Sequence, residues 1–196
     1  MTDKILLNNQ IYNISEDKLP CLIIYAENVG GSYFSVTMAA DLFLRGKKIL
    51  FLSAYPMAKD NFLEQVKGNE DKISYITNIN QLKSDSQGII VESGNGNLFL
   101  DIVKKLDDIQ ERVIFIKNIE VFNVVVFNSY LQLRNIILSG DIDRCSFKEK
   151  INEKEFKTII VFAKPKIKLP IIVPELDRYV GYLKSELEEG LVRISG

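Results

Sequence analysis

Five short, nearly continuous apolar runs recur along the chain. They are Leu22–Ala26, Ile49–Ala54, Gly88–Val91, Val113–Ile116 and Thr158–Ala163. Runs of this length that are rich in Ile and Val are typical of strands covered on both faces. We therefore predict five buried strands.

The segments between and after these runs carry apolar residues at helical spacing. Ser32–Arg45 is apolar nearly all round and stops at Gly46, whereas Asn97–Ile109 places its apolar residues on one face. The same spacing predicts helices over Val121–Leu138 and Glu175–Glu189. In the former, three consecutive valines also favour a strand.

The alternation of strand and helix predicts an α/β fold. We expect three α/β/α layers around a mostly parallel central sheet of about five strands. Residues 1–20 show an alternating Ile11-Tyr12-Asn13-Ile14 before Pro20, which predicts an edge hairpin or lid. Residues 139–156 form a polar excursion, either a binding surface or a solvated loop. The length of 196 residues favours one domain, 1–196.

Composition narrows the chemistry. The chain contains no His, which excludes catalysis and metal sites that depend on imidazole. Its net charge of −1 lacks the basic excess of a dedicated nucleic-acid binder. Cys21 and Cys145 stand alone in the sequence, so there is no zinc cluster or CxxC pair. They are two reduced thiols or one disulfide.

The N-terminal residues contain no apolar run of signal-peptide length, and no segment approaches the ~20 apolar residues of a membrane span. We expect a cytoplasmic protein without a membrane span.

The first buried run leads into Glu27-Asn28-Val29-Gly30-Gly31-Ser32-Tyr33 and then a buried helix. In order of elements and in this turn, the chain resembles the P-loop NTPases, and among them the RecA-like and AAA-type ATPases. Their pattern is GxxxxGK[ST] after a strand. Ala26 and Gly31 stand at its two glycines, Ser32 at its lysine and Tyr33 at its Ser/Thr. A register shifted by one also lacks the lysine.

The missing lysine would neutralise phosphates, and the missing hydroxyl would hold Mg²⁺. Backbone amides of the Gly30-Gly31 turn could still receive an anion, although such turns also join strands to helices without any ligand. The candidate degenerate nucleotide site comprises Glu27, Asn28, Gly30, Gly31, Ser32, Tyr33, Lys117 and Asn118.

The run Val113–Ile116 ends in Lys117, where the resemblance implies an Asp that binds Mg²⁺. One hypothesis is that Lys117 forms an ion pair with Glu27 and so fills part of the former phosphate and metal site. The other is that Lys117 replaces the missing lysine and contacts a bound phosphate.

Lys164 follows the last predicted strand, in the place of a residue that senses phosphate in AAA-type domains, and Arg178 resembles a subunit-interface arginine. Lys164, Lys166 and Lys168 alternate along an extended basic edge, which could contact phosphates or simply solvate a loop. With Arg178 they are the candidate contacts for a partner or nucleic acid.

The resemblance implies a non-catalytic P-loop-like domain, a pseudo-ATPase. Such a domain would bind a protein partner or assemble with itself, as a structural subunit of a larger ATPase-type or nucleic-acid-processing assembly. We expect no resident cofactor and no metal. The alternative is an atypical NTPase that binds ATP and Mg²⁺ with Lys117 in place of the P-loop lysine. A nucleic-acid contact is a third hypothesis.

Overall fold

The computed structural model describes residues 3–91, 96–122, 133–146, 148, 151, 155–166, 169 and 171–195. The strands are β1 Lys4–Leu7, β2 Gln10–Ile11, β3 Cys21–Ile24, β4 Ile49–Ser53, β5 Ile73–Ile76, β6 Gly88–Val91, β7 Val113–Lys117, β8 Ile136–Gly140, β9 Thr158–Val161, β10 Gly181–Ser185 and β11 Glu189–Ser195. The helices are α1 Gly31–Leu44, α2 Pro56–Gln65 and α3 Gly96–Lys105.

All the strands within the described residues belong to one sheet, in the order β2-β1-β11-β10-β9-β3-β8-β7-β4-β6-β5. The section from β9 to β5 is parallel throughout and contains all five predicted strands. Four antiparallel strands, β10, β11, β1 and β2, extend it beyond β9. The predicted α/β class is confirmed. The prediction of a mostly parallel sheet of about five strands is wrong in size, because the sheet has 11 strands and part of it is antiparallel.

Helices cover both faces of the parallel section. On β3, Ile23 packs in a core with α1 and α2, while its neighbour Leu22 packs in a second core with α3. Successive side chains of a strand point to opposite faces, so a continuous apolar run supplies both cores at once.

The two helix predictions nearest the parallel strands are confirmed with small changes of boundary. Helix α1 follows Gly30, whose φ of 89° lies in the left-handed region, and it ends before Gly46, whose φ is 86°. Helix α3 ends at Lys105, four residues earlier than predicted. The predicted edge hairpin at residues 1–20 is also present, as β1 and β2.

The helix predicted over Glu175–Glu189 is wrong. Its second half forms β10, where Leu183 is buried and its neighbours Tyr182 and Lys184 are only half-buried. Strand β9 offers a free edge, and pairing of Leu183 with Ile160 satisfies its backbone groups. Tertiary pairing thus overrides a local helical pattern.

The helix predicted over Val121–Leu138 is also contradicted at its end, because Ile136–Gly140 is strand β8 between β3 and β7. Residues 123–132 lie outside the described part of the chain. The polar excursion predicted for 139–156 therefore begins as the end of a buried strand. It continues as a 3-10 turn over Ile142–Arg144, and much of its remainder lies outside the described residues.

Candidate functional site

The candidate site lies where β3, β8 and β7 end side by side. Parallel strands bring their carboxyl ends to one edge of a sheet, which is where open α/β sheets place their ligands. The turn after β3 reverses direction through Asn28 and Gly30, both with positive φ, and delivers the chain into α1. Gly31 is required by close packing, because a Cβ there would overlap the Cβ of Tyr25.

Lys117, the last residue of β7, reaches the start of α1. Its Nζ donates to Ser32 Oγ at 2.6 Å and to the Tyr25 hydroxyl at 3.2 Å. Burial of the side chain, which is 4% exposed, lowers the pKa of Lys117 to about 8, and Glu120 partly opposes that shift. The structure therefore brings the predicted residues Ser32 and Lys117 into direct contact.

The predicted ion pair between Lys117 and Glu27 is wrong. The Glu27 side chain points outward and pairs with Arg144 at 2.9 Å, on an exposed rim. Polar partners for Lys117 come instead from two uncharged hydroxyls.

Tyr33 occupies the position of the motif's small hydroxyl residue, but its hydroxyl leaves the site. It donates to Asp3 Oδ2 at 2.8 Å, and burial together with Asp3 raises the pKa of Tyr33 to about 12. The Tyr33 hydroxyl is thus committed to the residue before β1, so it does not fit the role of a Mg²⁺ ligand beside Ser32.

Asn118 and Glu120 continue the site beyond β7. Asn118 takes a left-handed φ of 63° and accepts a long bond from Ser53 Oγ at 3.4 Å. Glu120 accepts the amide of Asp141 at 3.1 Å, which ties the turn after β7 to the end of β8. The other carboxylate oxygen of Glu120 accepts a hydrogen bond from the Asn118 side-chain amide, so each oxygen has a partner within the protein.

The turns after β3, β7 and β8 border an open cleft of about 500 Å³. The predicted residues that line it are Glu27, Asn28, Gly30, Ser32, Tyr33 and Asn118. Tyr25, Tyr55, Met57, Asp141 and Arg144 also line it and were missed as site residues. Among these residues, Tyr25 could have been predicted from the sequence, because it directly follows the buried strand β3 and so lies at the edge where the site forms.

Three of the four predicted contact residues, Lys164, Lys166 and Arg178, lie within the described part of the chain. Arg178 packs against the turn between β3 and α1. Its Nε donates to the Asn28 carbonyl at 3.1 Å, and its guanidinium stacks on Tyr179. Lys164 and Lys166 follow β9 at the same edge of the sheet, and the Lys166 amide donates to Asp143. Lys168 lies outside the described residues.

Two other lysines, Lys47 and Lys48, precede β4 and so lie at the opposite edge of the sheet. They pair with Glu16 and Asp108.

The two cysteines are free and buried, Cys21 in β3 and Cys145 behind the 3-10 turn. Burial raises the pKa of the Cys145 thiol to about 12. The prediction of two reduced thiols is confirmed over that of a disulfide. Among the described residues, no helix is long and apolar enough to cross a membrane.

Comparison with known proteins gives the fold. No family model matches the chain, and no curated protein matches it. The genome packaging NTPase B204 of Sulfolobus turreted icosahedral virus 2, solved with ATPγS, is 14% identical at a TM-score of 0.57. That match covers 93% of this chain and 98% of B204.

The same NTPase with AMP gives a TM-score of 0.58 at 12% identity, with the same coverage of both chains. The cytoplasmic domain of the type VII secretion ATPase EccC of Thermomonospora curvata gives 0.61 at 10% identity, covering 99% of this chain and 26% of that one. These similarities show that the chain has a P-loop NTPase-like fold, of the kind found in a packaging NTPase and a secretion ATPase.

Proposed function

We propose that this chain is a P-loop-like domain that does not hydrolyse nucleoside triphosphates. It acts by binding a protein partner or further copies of itself, as a structural subunit of a larger ATPase-type or nucleic-acid-processing assembly. The observation that carries the proposal is the contact of the Lys117 ammonium with Ser32 and Tyr25. A cation from the chain itself is satisfied by the hydroxyls of Ser32 and Tyr25 beside the start of α1, where the motif would present a lysine to phosphate.

The side chains at the positions where a metal would be held support the same conclusion. Hydrolysis in P-loop enzymes needs a metal held by a hydroxyl and a carboxylate, and a group that orients water. Here the Tyr33 hydroxyl bonds to Asp3, Glu27 bonds to Arg144, and the strand end that would carry the Asp carries Lys117. The fold is retained while the metal chemistry is not.

Phosphate release tests the proposal directly. The purified chain with ATP or GTP should release no phosphate above the buffer rate at any Mg²⁺ concentration. Sedimentation in the same buffer should reveal self-assembly, and pull-down from its native lysate a partner. Mg²⁺-dependent phosphate release that scales with protein concentration would overturn the proposal.

A second candidate, nucleotide binding through Lys117, is favoured by one observation. The ammonium stands beside the first turn of α1, whose N-cap Gly30 provides no side-chain hydrogen bond, so backbone amides and a cation face the same place. Under this candidate, Lys117→Ala abolishes nucleotide binding while the chain stays folded. Under the main proposal, wild-type and variant are equally inert towards nucleotide.

A further inference from the structure

We propose that Ser32 and Lys117 form a serine–lysine dyad that accepts an acyl group from a carboxylic ester bound in the cleft. This proposal does not rest on the proposed function. It starts from one geometric fact: a solvent-exposed Ser32 lies on the cleft, with a buried amine 2.6 Å from its Oγ. A nucleophile and a base within hydrogen-bond distance are the core of acyl-transfer sites, and Ser–Lys pairs are among the known variants.

The environment of Lys117 suits a general base. Its side chain is almost fully buried, and no ion pair with a carboxylate within 4 Å is found for it in the described part of the chain. The titratable groups that face it are Tyr25, from the turn before α1, and Glu120, from the turn after β7. Glu27 and Arg144 neutralise each other at the rim. With a pKa of about 8, a usable fraction of the amine is neutral near neutral pH.

The start of α1 supplies groups that would stabilise an oxyanion. Ser32 is the second residue of this 14-residue helix, and the first amides of a helix have no acceptor within it. The N-cap is Gly30, which has no side chain to cap them. The positive end of the helix dipole adds to their effect. Negative charge developing on a carbonyl oxygen near Ser32 would meet these donors.

The reaction balances without any other reagent. Neutral Lys117 takes the Ser32 hydroxyl proton as Oγ bonds to the ester carbonyl carbon. The ester oxygen then leaves as an alcohol with that proton, and acyl-Ser32 remains. A water molecule gives a proton to Lys117 and bonds to the acyl carbon. The carboxylic acid departs, and Ser32 Oγ recovers the proton.

The walls of the cleft indicate the acyl chain. Tyr33, Tyr55 and Met57 line it and are exposed by 38%, 50% and 72% of their surface. Exposed apolar side chains beside a nucleophile favour a short apolar acyl group. We therefore expect butyryl esters to react faster than acetyl esters.

Covalent labelling of the whole chain tests the dyad. An alkyl fluorophosphonate should form one adduct, on Ser32, as Oγ displaces fluoride and Lys117 takes the proton. Labelling should rise about tenfold from pH 6 to pH 7 and level off above pH 8.5, and p-nitrophenyl butyrate should give an acyl-Ser32 peptide by mass spectrometry. Lys117→Met should slow labelling at least 100-fold, and Ser32→Ala should abolish it.

Ser35→Ala is the matched control. Ser35 lies on the same turn, but its hydroxyl donates to the Ser32 carbonyl, so its loss should leave labelling unchanged. Labelling elsewhere, no labelling, or equal labelling of Lys117→Met would overturn the dyad. If Lys117→Met does not fold, the wild-type pH profile decides, and a flat rate from pH 6 to pH 9 rejects the proposal. Phosphate release is a separate readout, so either proposal can fail alone.

Discussion

Lys117 is a buried cation whose polar contacts are uncharged hydroxyls. A lysine transferred from water into such a place loses hydration that Ser32 and Tyr25 only partly replace, so its charged form is disfavoured. That cost is expected to appear as a pH dependence of stability.

The folded pKa of Lys117, about 8, lies below its ordinary value of 10.5. Between these values the unfolded chain binds more protons than the folded one, so the free energy of unfolding contributed by Lys117 rises with pH. From pH 8 to pH 9 the gain approaches about 1 kcal/mol.

Lys117→Met should remove this gain, as measured by urea unfolding at the two pH values. Lys104→Met, on the exposed side of α3, is the matched loss of charge and should keep the wild-type slope. Equal slopes for wild-type and Lys117→Met would show that Lys117 is not held in a desolvated site.

Arg112 holds the loop that precedes β6. Its side chain is fully buried, bonds to Asp108 at 2.9 Å and donates to the carbonyls of Ser84 and Ser86. It thereby joins the residue before β7 to the segment that leads into β6.

Arg112→Ala should cost about 3–5 kcal/mol, because Asp108 and the loop carbonyls lose their buried partner. Thermal and urea unfolding measure the loss. Arg193→Ala, at an exposed arginine of β11 that contacts Asn9, should change stability by no more than about 0.5 kcal/mol. Similar losses in the two variants would contradict the role given to Arg112.

At the scale of elements, the turn between β3 and α1 depends on a close approach of backbone to side chain. Gly31→Ala places a methyl group against Tyr25 and Phe162 and should cost about 2–3 kcal/mol by overpacking. Gly46→Ala meets no atom within 4 Å and should cost only about 1 kcal/mol, from its positive φ. Urea unfolding separates them, and a Gly31→Ala chain as stable as Gly46→Ala would argue against the tight turn.

The elements that could be predicted from the sequence are strands buried on both faces and helices with one buried face. Strands covered on both faces are continuous apolar runs, and α3 has a single apolar face. Strand β8 was missed because Ile136–Leu138 also fits the end of a helical pattern, and β10 because its apolar spacing resembles a helix. Their strand form follows from pairing with distant strands, which no local window contains.

The site was predictable as far as the turn and the strand end are concerned. The unusual residues of a motif, Ser32 and Lys117, are visible in the sequence, and the parallel sheet brings them together. The contacts of the neighbouring side chains were not predictable. The bond from Tyr33 to Asp3 spans 30 positions of sequence, and the bond from Arg144 to Glu27 spans 117 positions. Those contacts depend on side-chain directions that spacing does not fix.

On the scale of the whole molecule, a parallel section carries the site and an antiparallel section extends the same sheet. Strands β10, β11 and β1 extend the sheet beyond β9, and Asp3, just before β1, reaches Tyr33 at the start of α1. The contact ties the segment before β1 to the start of α1 and so helps to hold the turn in place.

The measurement that tests the central claim most directly is a calorimetric titration of the purified chain with ATP, ADP and GTP, with and without Mg²⁺, alongside its melting temperature. A site already satisfied by Lys117, Ser32 and Tyr25 predicts no heat of binding and no shift in melting temperature at millimolar nucleotide. Saturable micromolar binding, with a melting temperature that rises as nucleotide exceeds Kd, would contradict a nucleotide-free subunit.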